Sequence, residues 1–242
     1  MRFNTIGRVL LGVLAFVTAA ACAGGQVLAD DPVCADGSAR HAVGAAFQGV
    51  EAATGQSSSG PEALPMLLEY GTTWINHQWK TVNLVQPFSD PVVVAGPPTS
   101  RGSSPGVVRI RSVTSTSFEI RFQEWDYLDG VHCLEQVTWL AVERGVYDLS
   151  GGRKLVADTF STNRTNVYSP QWVSFPTVFS ETPVVLAQVQ TCNGAEAVTD
   201  RICGVYIGGM HFCMQEQEAA GGHCYEQIGY IATNPFDTVL LT

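Results

Sequence analysis

The chain repeats itself, and this constrains its fold more than any other feature. Residues 91–125, from Pro91-Val92-Val93-Val94 to Trp125, align without a gap on residues 183–217, from Pro183-Val184-Val185-Leu186 to Gln217. Arg109 falls on Arg201 and Glu124 on Glu216. After a one-residue slip, His132-Cys133-Leu134-Glu135-Gln136 falls on His223-Cys224-Tyr225-Glu226-Gln227. A unit of roughly 90 residues is too long for a solenoid repeat and matches a small domain present twice. The two copies also control for each other: residues kept in both belong to the scaffold, and residues that differ were free to change.

Within each copy the pattern is that of strands. Phe118, Ile120 and Phe122 alternate with Glu119, Arg121 and Gln123, the period of a strand with one buried face, and Met210, Phe212 and Met214 repeat it. Val92–Val94 and Val184–Leu186 are continuous apolar runs, each introduced by a proline that suits a strand start. Thr114-Ser115-Thr116-Ser117 and Gly208-Gly209 predict hairpin turns, and Asp129-Gly130 and Gly221-Gly222 predict the next ones. Val137 to Val142 and Ile228 to Thr233 close the copies. Short strands between turn signals, with no helical period, predict an all-β protein of two tandem antiparallel β-sandwich domains, about six strands each. They cover residues 66–149 and 153–236, with Ser150-Gly151-Gly152 as the hinge.

Upstream, Arg2 and Arg8 precede an apolar run from Val9 to Ala23, and Val27-x-Ala29 offers small residues for cleavage. Residues 1–29 therefore read as an export signal, too short for a comfortable membrane span, with a lipid anchor on Cys22 as the alternative. Residues 30–65 are small and polar and read as a flexible stalk, in which His41 to Val50 could form a weak helix. Beyond Cys22 stand Cys34, Cys133, Cys192, Cys203, Cys213 and Cys224, an even number that predicts a disulfide framework in an exported chain. Cys192, Cys203 and Cys213 replace Ser100, Arg111 and Arg121 of the first copy. The four second-copy cysteines are therefore expected to pair among themselves, leaving Cys133 for Cys34 or a neighbouring chain. A net charge of −9 argues against nucleic acid and against anionic lipid as partners.

The segment from Glu124 to His132 carries the most chemistry. A sugar presents an apolar ring face and a rim of hydroxyls, so its site needs an aromatic surface and fixed donors and acceptors. Trp125, Asp126, Tyr127, Asp129 and His132 supply that mixture on one turn. Arg109 either reaches the ligand or pairs with Glu124 across the hairpin, as Arg201 would with Glu216. His132 and Glu135, three apart, would point to opposite faces of a regular strand, so no metal site is predicted there. No nucleophile elbow, HExxH or phosphate loop is present, so no catalytic residues and no cofactor are predicted. Asn163-Arg164-Thr165 is a glycosylation sequon.

The succession Trp79…Phe88-x-x-Pro91-Val92-Val93, Arg109-Ile110, Val113 to Phe118, Trp125 and Val137-Thr138-Trp139-Leu140-Ala141-Val142-Glu143 resembles an H-type lectin domain. The resemblance implies a six-stranded sandwich, assembly as a trimer and binding of N-acetylgalactosamine or related sugars. The second copy departs from the pattern, with Gln217 for the tryptophan and Tyr230 for Trp139. Asp126 stands where family members often carry a sugar-contacting histidine. The expectation is a secreted, non-catalytic, homo-oligomeric glycan-binding protein. A structural adhesion protein of an envelope or matrix is the alternative.

Overall fold

A computed structural model describes residues 66–149, 151–217 and 222–235. The export signal, Cys22, the stalk with its weak helix, Cys34 and half of the Gly221-Gly222 turn lie outside the described residues. Those that are described form strands throughout, with no helix among them. The first repeat holds β1 (Leu68–Ile75), β2 (Lys80–Asn83), β3 (Pro91–Pro98), β4 (Gly106–Arg111), β5 (Ser117–Glu124) and β6 (Glu135–Glu143). After β7 (Gly145–Leu149), the second holds β8 (Arg153–Thr162), β9 (Gln171–Ser174), β10 (Val184–Val189), β11 (Val198–Tyr206), β12 (Gly209–Glu216) and β13 (Glu226–Thr233).

Every pairing is antiparallel, and the two repeats share one topology. Sheet β1-β6-β3 faces sheet β2-β5-β4, and sheet β10-β13-β8-β7 faces sheet β11-β12-β9. The alternation in β5 does what the sequence requires of it. Phe118, Ile120 and Phe122 enter the first core beside Ile75, Val93, Val137 and Trp139, with Phe118 edge-on to Trp139 at 5.4 Å. Met210, Phe212 and Met214 do the same in the second core, beside Val156, Ile228 and Tyr230. On the outer face of β5, Arg121 and its neighbour Arg111 lie over the Trp79 ring at 4.5 and 4.1 Å.

The continuous apolar run in β3 has a second cause, because both faces of that strand are buried. Val93 enters its own core, whereas Val92 and Val94 join Leu140, Val142, Leu155, Ala157 and Ile231 in a third cluster between the repeats. Each fully buried aliphatic side chain of this kind contributes roughly 1.5–3 kcal/mol, so the two sandwiches are held as more than neighbours on a string. At Gly229, an added Cβ would fall 1.4 Å from Gln190 Oε1, the atom that accepts a hydrogen bond from Val93 N across the junction. Only glycine admits that crossing.

The segment expected to be a hinge is a hairpin. β7 pairs with β8 from Gly145↔Ala157 to Leu149↔Arg153, and Gly151 and Gly152 take φ of 78° and 73°. Two consecutive left-handed glycines suit the tight turns whose twist matches that of paired strands. The connection is thus a fourth strand on the second repeat's sheet.

The junction is not two-fold symmetric. Arg109 is wholly buried against the second repeat, while its counterpart Arg201 is exposed.

Candidate functional site

The residues retained in both copies build a buried cluster behind the turn. His132 Nδ1 lies 2.8 Å from Glu124 Oε1 and its Nε2 lies 3.2 Å from Glu135 Oε1. His223 reproduces this, with Glu216 at 2.8 Å and Glu226 at 3.1 Å. Each contact needs one proton between its heavy atoms, so the imidazole acts as a bridge between two carboxylates. The Phe122 ring stacks on His132 at 3.9 Å.

The second carboxylate of each trio is held by a loop. Glu135 accepts from Thr99 Oγ1, Arg101 N and Gly102 N at 2.5–3.0 Å. Glu226 accepts from Thr191 Oγ1, Asn193 N and Gly194 N. These hydrogen bonds, with that from His223, hold the Glu226 carboxyl below the usual carboxylate range against the opposing pull of burial. The glycine in each loop is sterically required: an added Cβ would meet the histidine ring at 2.7 Å at Gly102 and 2.5 Å at Gly194.

His132 and Glu135 were expected on opposite faces of a strand, and the structure brings them together. β6 begins only at Glu135, so His132 sits in irregular chain and the period-two rule does not apply to it. His132, Cys133 and Glu135, and likewise Glu196, Glu216 and His223, bring potential ligand atoms within 4.8 Å of one another. In both groups the ring nitrogens already face carboxylates, which makes the clusters hydrogen-bonded networks.

The residues named from sequence part company. Trp125 is half-buried, and Asp126, Tyr127 and Asp129 are exposed on one turn, closed by Leu128 N donating to Trp125 O and Val131 N to Asp129 Oδ1. His132 lies beneath them, 4% exposed, and presents no free ring nitrogen. Arg109 is fully buried at the junction. Its Nη1 donates to Glu196 O at 2.6 Å and its Nη2 stands 3.5 Å from Glu226 Oε1. Its carboxylate partner is therefore neither a ligand nor Glu124, but a residue of the other copy. The turn also touches the second repeat, since Asp126 N donates to Gln217 Oε1.

Sequence reasoning missed a groove of about 700 Å³ on the second repeat, lined by Asn163, Arg164, Thr165, Asn166, Pro170, Gln171, Trp172 and Tyr225. Its origin is a longer loop: residues 163–170 join β8 to β9, where only residues 76–79 join β1 to β2. Asn166 shapes the loop, accepting from Tyr168 N through its side chain and from Ser169 N through its carbonyl. Trp172 is fixed by its indole N–H donating to Ser174 Oγ at 3.0 Å and by edge contact with His211 at 5.0 Å, yet it stays 46% exposed. Tyr225, which replaces Leu134, is 63% exposed. The available signal was the polar stretch Asn163-Arg164-Thr165-Asn166 ahead of a tryptophan, which attracted notice only as a sequon.

The cysteines do not form the expected set of second-copy bridges. Cys192, Cys203, Cys213 and Cys224 stand as thiols, and Cys192 Sγ points to Gly194 O at 3.6 Å. Only Cys203 and Cys213 are shown together, with sulfurs 3.6 Å apart across β11 and β12. Replacing Arg111 and Arg121 therefore yields one near-pair, with Cys203 exposed and Cys213 buried. Burial and the neighbouring thiol raise the Cys213 pKa to about 12. Mild oxidation of the protein is expected to join Cys203 to Cys213, read as a linked peptide pair by non-reducing mass mapping and absent in Cys203→Ser.

Comparison with known proteins finds a relative that matches most of this chain. The chain is 34% identical over 182 residues to Halomucin of Haloquadratum walsbyi, a match that covers 70% of this chain and spans only 2% of that protein's length. No family model and no solved structure matches. No helix among the described residues is long and apolar enough to cross a membrane.

Proposed function

We propose that this is a surface or extracellular glycan-binding protein, non-catalytic and H-type-lectin-like, whose sugar contacts come from both repeats. The observation that carries the reading is the groove at Trp172 and Tyr225. It couples two exposed aromatic faces, that of Trp172 held in place, to a guanidinium, two asparagines, a threonine and a glutamine. That is the donor, acceptor and stacking set a pyranose requires. The turn carrying Trp125, Asp126, Tyr127 and Asp129 offers a second, smaller set on the first repeat. The likeness to Halomucin supports the surface or extracellular setting. Assembly into trimers, as in H-type lectins, would multiply weak single-site affinity by effective concentration.

A glycan array with the purified chain tests this. Trp172→Ala and Tyr225→Ala are each expected to weaken binding at least tenfold, consistent with about 1.4 kcal/mol or more per lost aromatic contact. Trp125→Ala and Asp126→Ala report separately on the turn. Circular dichroism checks that each variant is folded. An array without a single bound glycan would overturn the lectin reading in favour of protein adhesion.

A further inference from the structure

We propose that the cleft between the two repeats binds a small organic cation with an apolar body, seated on Asp200. The cleft encloses about 310 Å³ and exists only because the repeats pack together. Val94, Pro97, Val107, Trp139 and Leu140 wall it from the first repeat, and Leu186 and Ala187 from the second. Among these apolar walls stands one charged side chain, Asp200.

Three observations make this carboxylate a ligand group rather than a scaffold group. The first repeat holds Val108 at the equivalent position, so the fold does not need an acid there. Among the described residues the carboxylate has no ion pair and bonds its own backbone N–H, whereas the buried acids Glu135, Glu143 and Glu226 are each capped by backbone N–H groups of other residues. Partial burial raises its pKa to about 6, so at neutral pH it is mostly ionised, only partly hydrated and still open to the cleft. A cation seated there offsets that partial loss.

The remaining polar groups fit the same ligand. Gln188 spends its amide N–H on Val108 O and Val189 O, both at 3.3 Å, which leaves its carbonyl oxygen free to accept. Thr138 and Thr199 add hydroxyls at the wall. An anion finds no cationic donor among these residues, and a plain sugar finds few hydrogen-bonding partners. A primary ammonium on a short alkyl stem satisfies the carboxylate, the amide oxygen and the apolar walls together. The site is independent of the glycan reading.

The test is a titration of the full chain with n-butylammonium chloride at pH 7.5, against sodium chloride at equal ionic strength, followed by tryptophan fluorescence and by Tm. Saturable binding is expected, weakened at least tenfold in Asp200→Asn and in Asp200→Val. Neither variant is expected to melt lower than the parent, because no hydrogen bond or ion pair of another described residue depends on the carboxylate. Loss of binding without loss of stability separates a ligand group from a structural one. Unchanged binding in the variants, no saturable binding at all, or a lowered Tm would overturn the proposal. Nα-acetyl-lysine amide, run in parallel, identifies the source. If it binds and the free amine does not, the natural occupant is a lysine side chain of a partner protein; if butylammonium binds, the occupant is a small amine.

Discussion

Glu226→Ala is expected to lower stability by about 3–5 kcal/mol, because it strands an arginine that has no access to water. Glu226 is fully buried, serves four donors, Thr191 Oγ1, Asn193 N, Gly194 N and His223 Nε2, and forms an ion pair with Arg109 Nη2 at 3.5 Å. Truncation leaves buried donors unmet and a guanidinium at 0% exposure without its counter-charge. Glu135→Ala is the internal control. It empties the same kind of loop cradle in the first repeat but strands no arginine, so it is expected to cost less. Urea unfolding of both variants measures the difference. The same carboxylate sets an acid limit. Its folded pKa lies below the unfolded value near 4.5, so its contribution is present above that value and is lost as pH falls through the folded pKa.

His223→Ala is expected to cost about 2–4 kcal/mol and to reverse the local pH dependence. The imidazole separates Glu216 from Glu226, and without it two buried carboxylates face a vacated position. One of them must then take up a proton to remain buried, which raises its pKa above the unfolded value. The folded variant binds more protons than its unfolded chain, so its stability rises as pH falls through the range above 4.5. In the parent, the Glu226 carboxyl is held below the usual carboxylate range and supplies no such gain. Urea midpoints of parent and variant at pH 5 and pH 7.5 decide the matter: the gap between them should narrow at the lower pH. An unchanged gap would mean that the two carboxylates do not sense each other.

What could be read from the sequence was whatever repeats or alternates. Phe118, Ile120 and Phe122 declared a buried strand face, and the four-residue turn after Val113 declared its hairpin. The kept His-Cys-x-Glu-Gln motif marked scaffold correctly, although not its geometry: period-two reasoning presumes a strand, and the chain is irregular until Glu135. Arg109 was misread for another reason. Its partner Glu226 lies over 100 residues away in the other copy, and nothing local distinguishes that pairing from one with Glu124 across the hairpin. The groove at Trp172 escaped because it arises from a loop-length difference, which an ungapped alignment starting at Pro91 and Pro183 does not reach.

The lopsided junction also explains where the copies have drifted apart. A duplicated unit that packs one face against its twin's opposite end keeps half of each copy under constraint and releases the other half. Arg109 and Gln123, which donate to the carbonyls of Glu196 and Ala195, mark the constrained halves at the junction. Cys203 and Cys213 lie on a released half, where the twin has Arg111 and Arg121. Such positions can acquire new chemistry without jeopardising the fold, so a duplicated sandwich of this build innovates on the side its twin leaves uncovered.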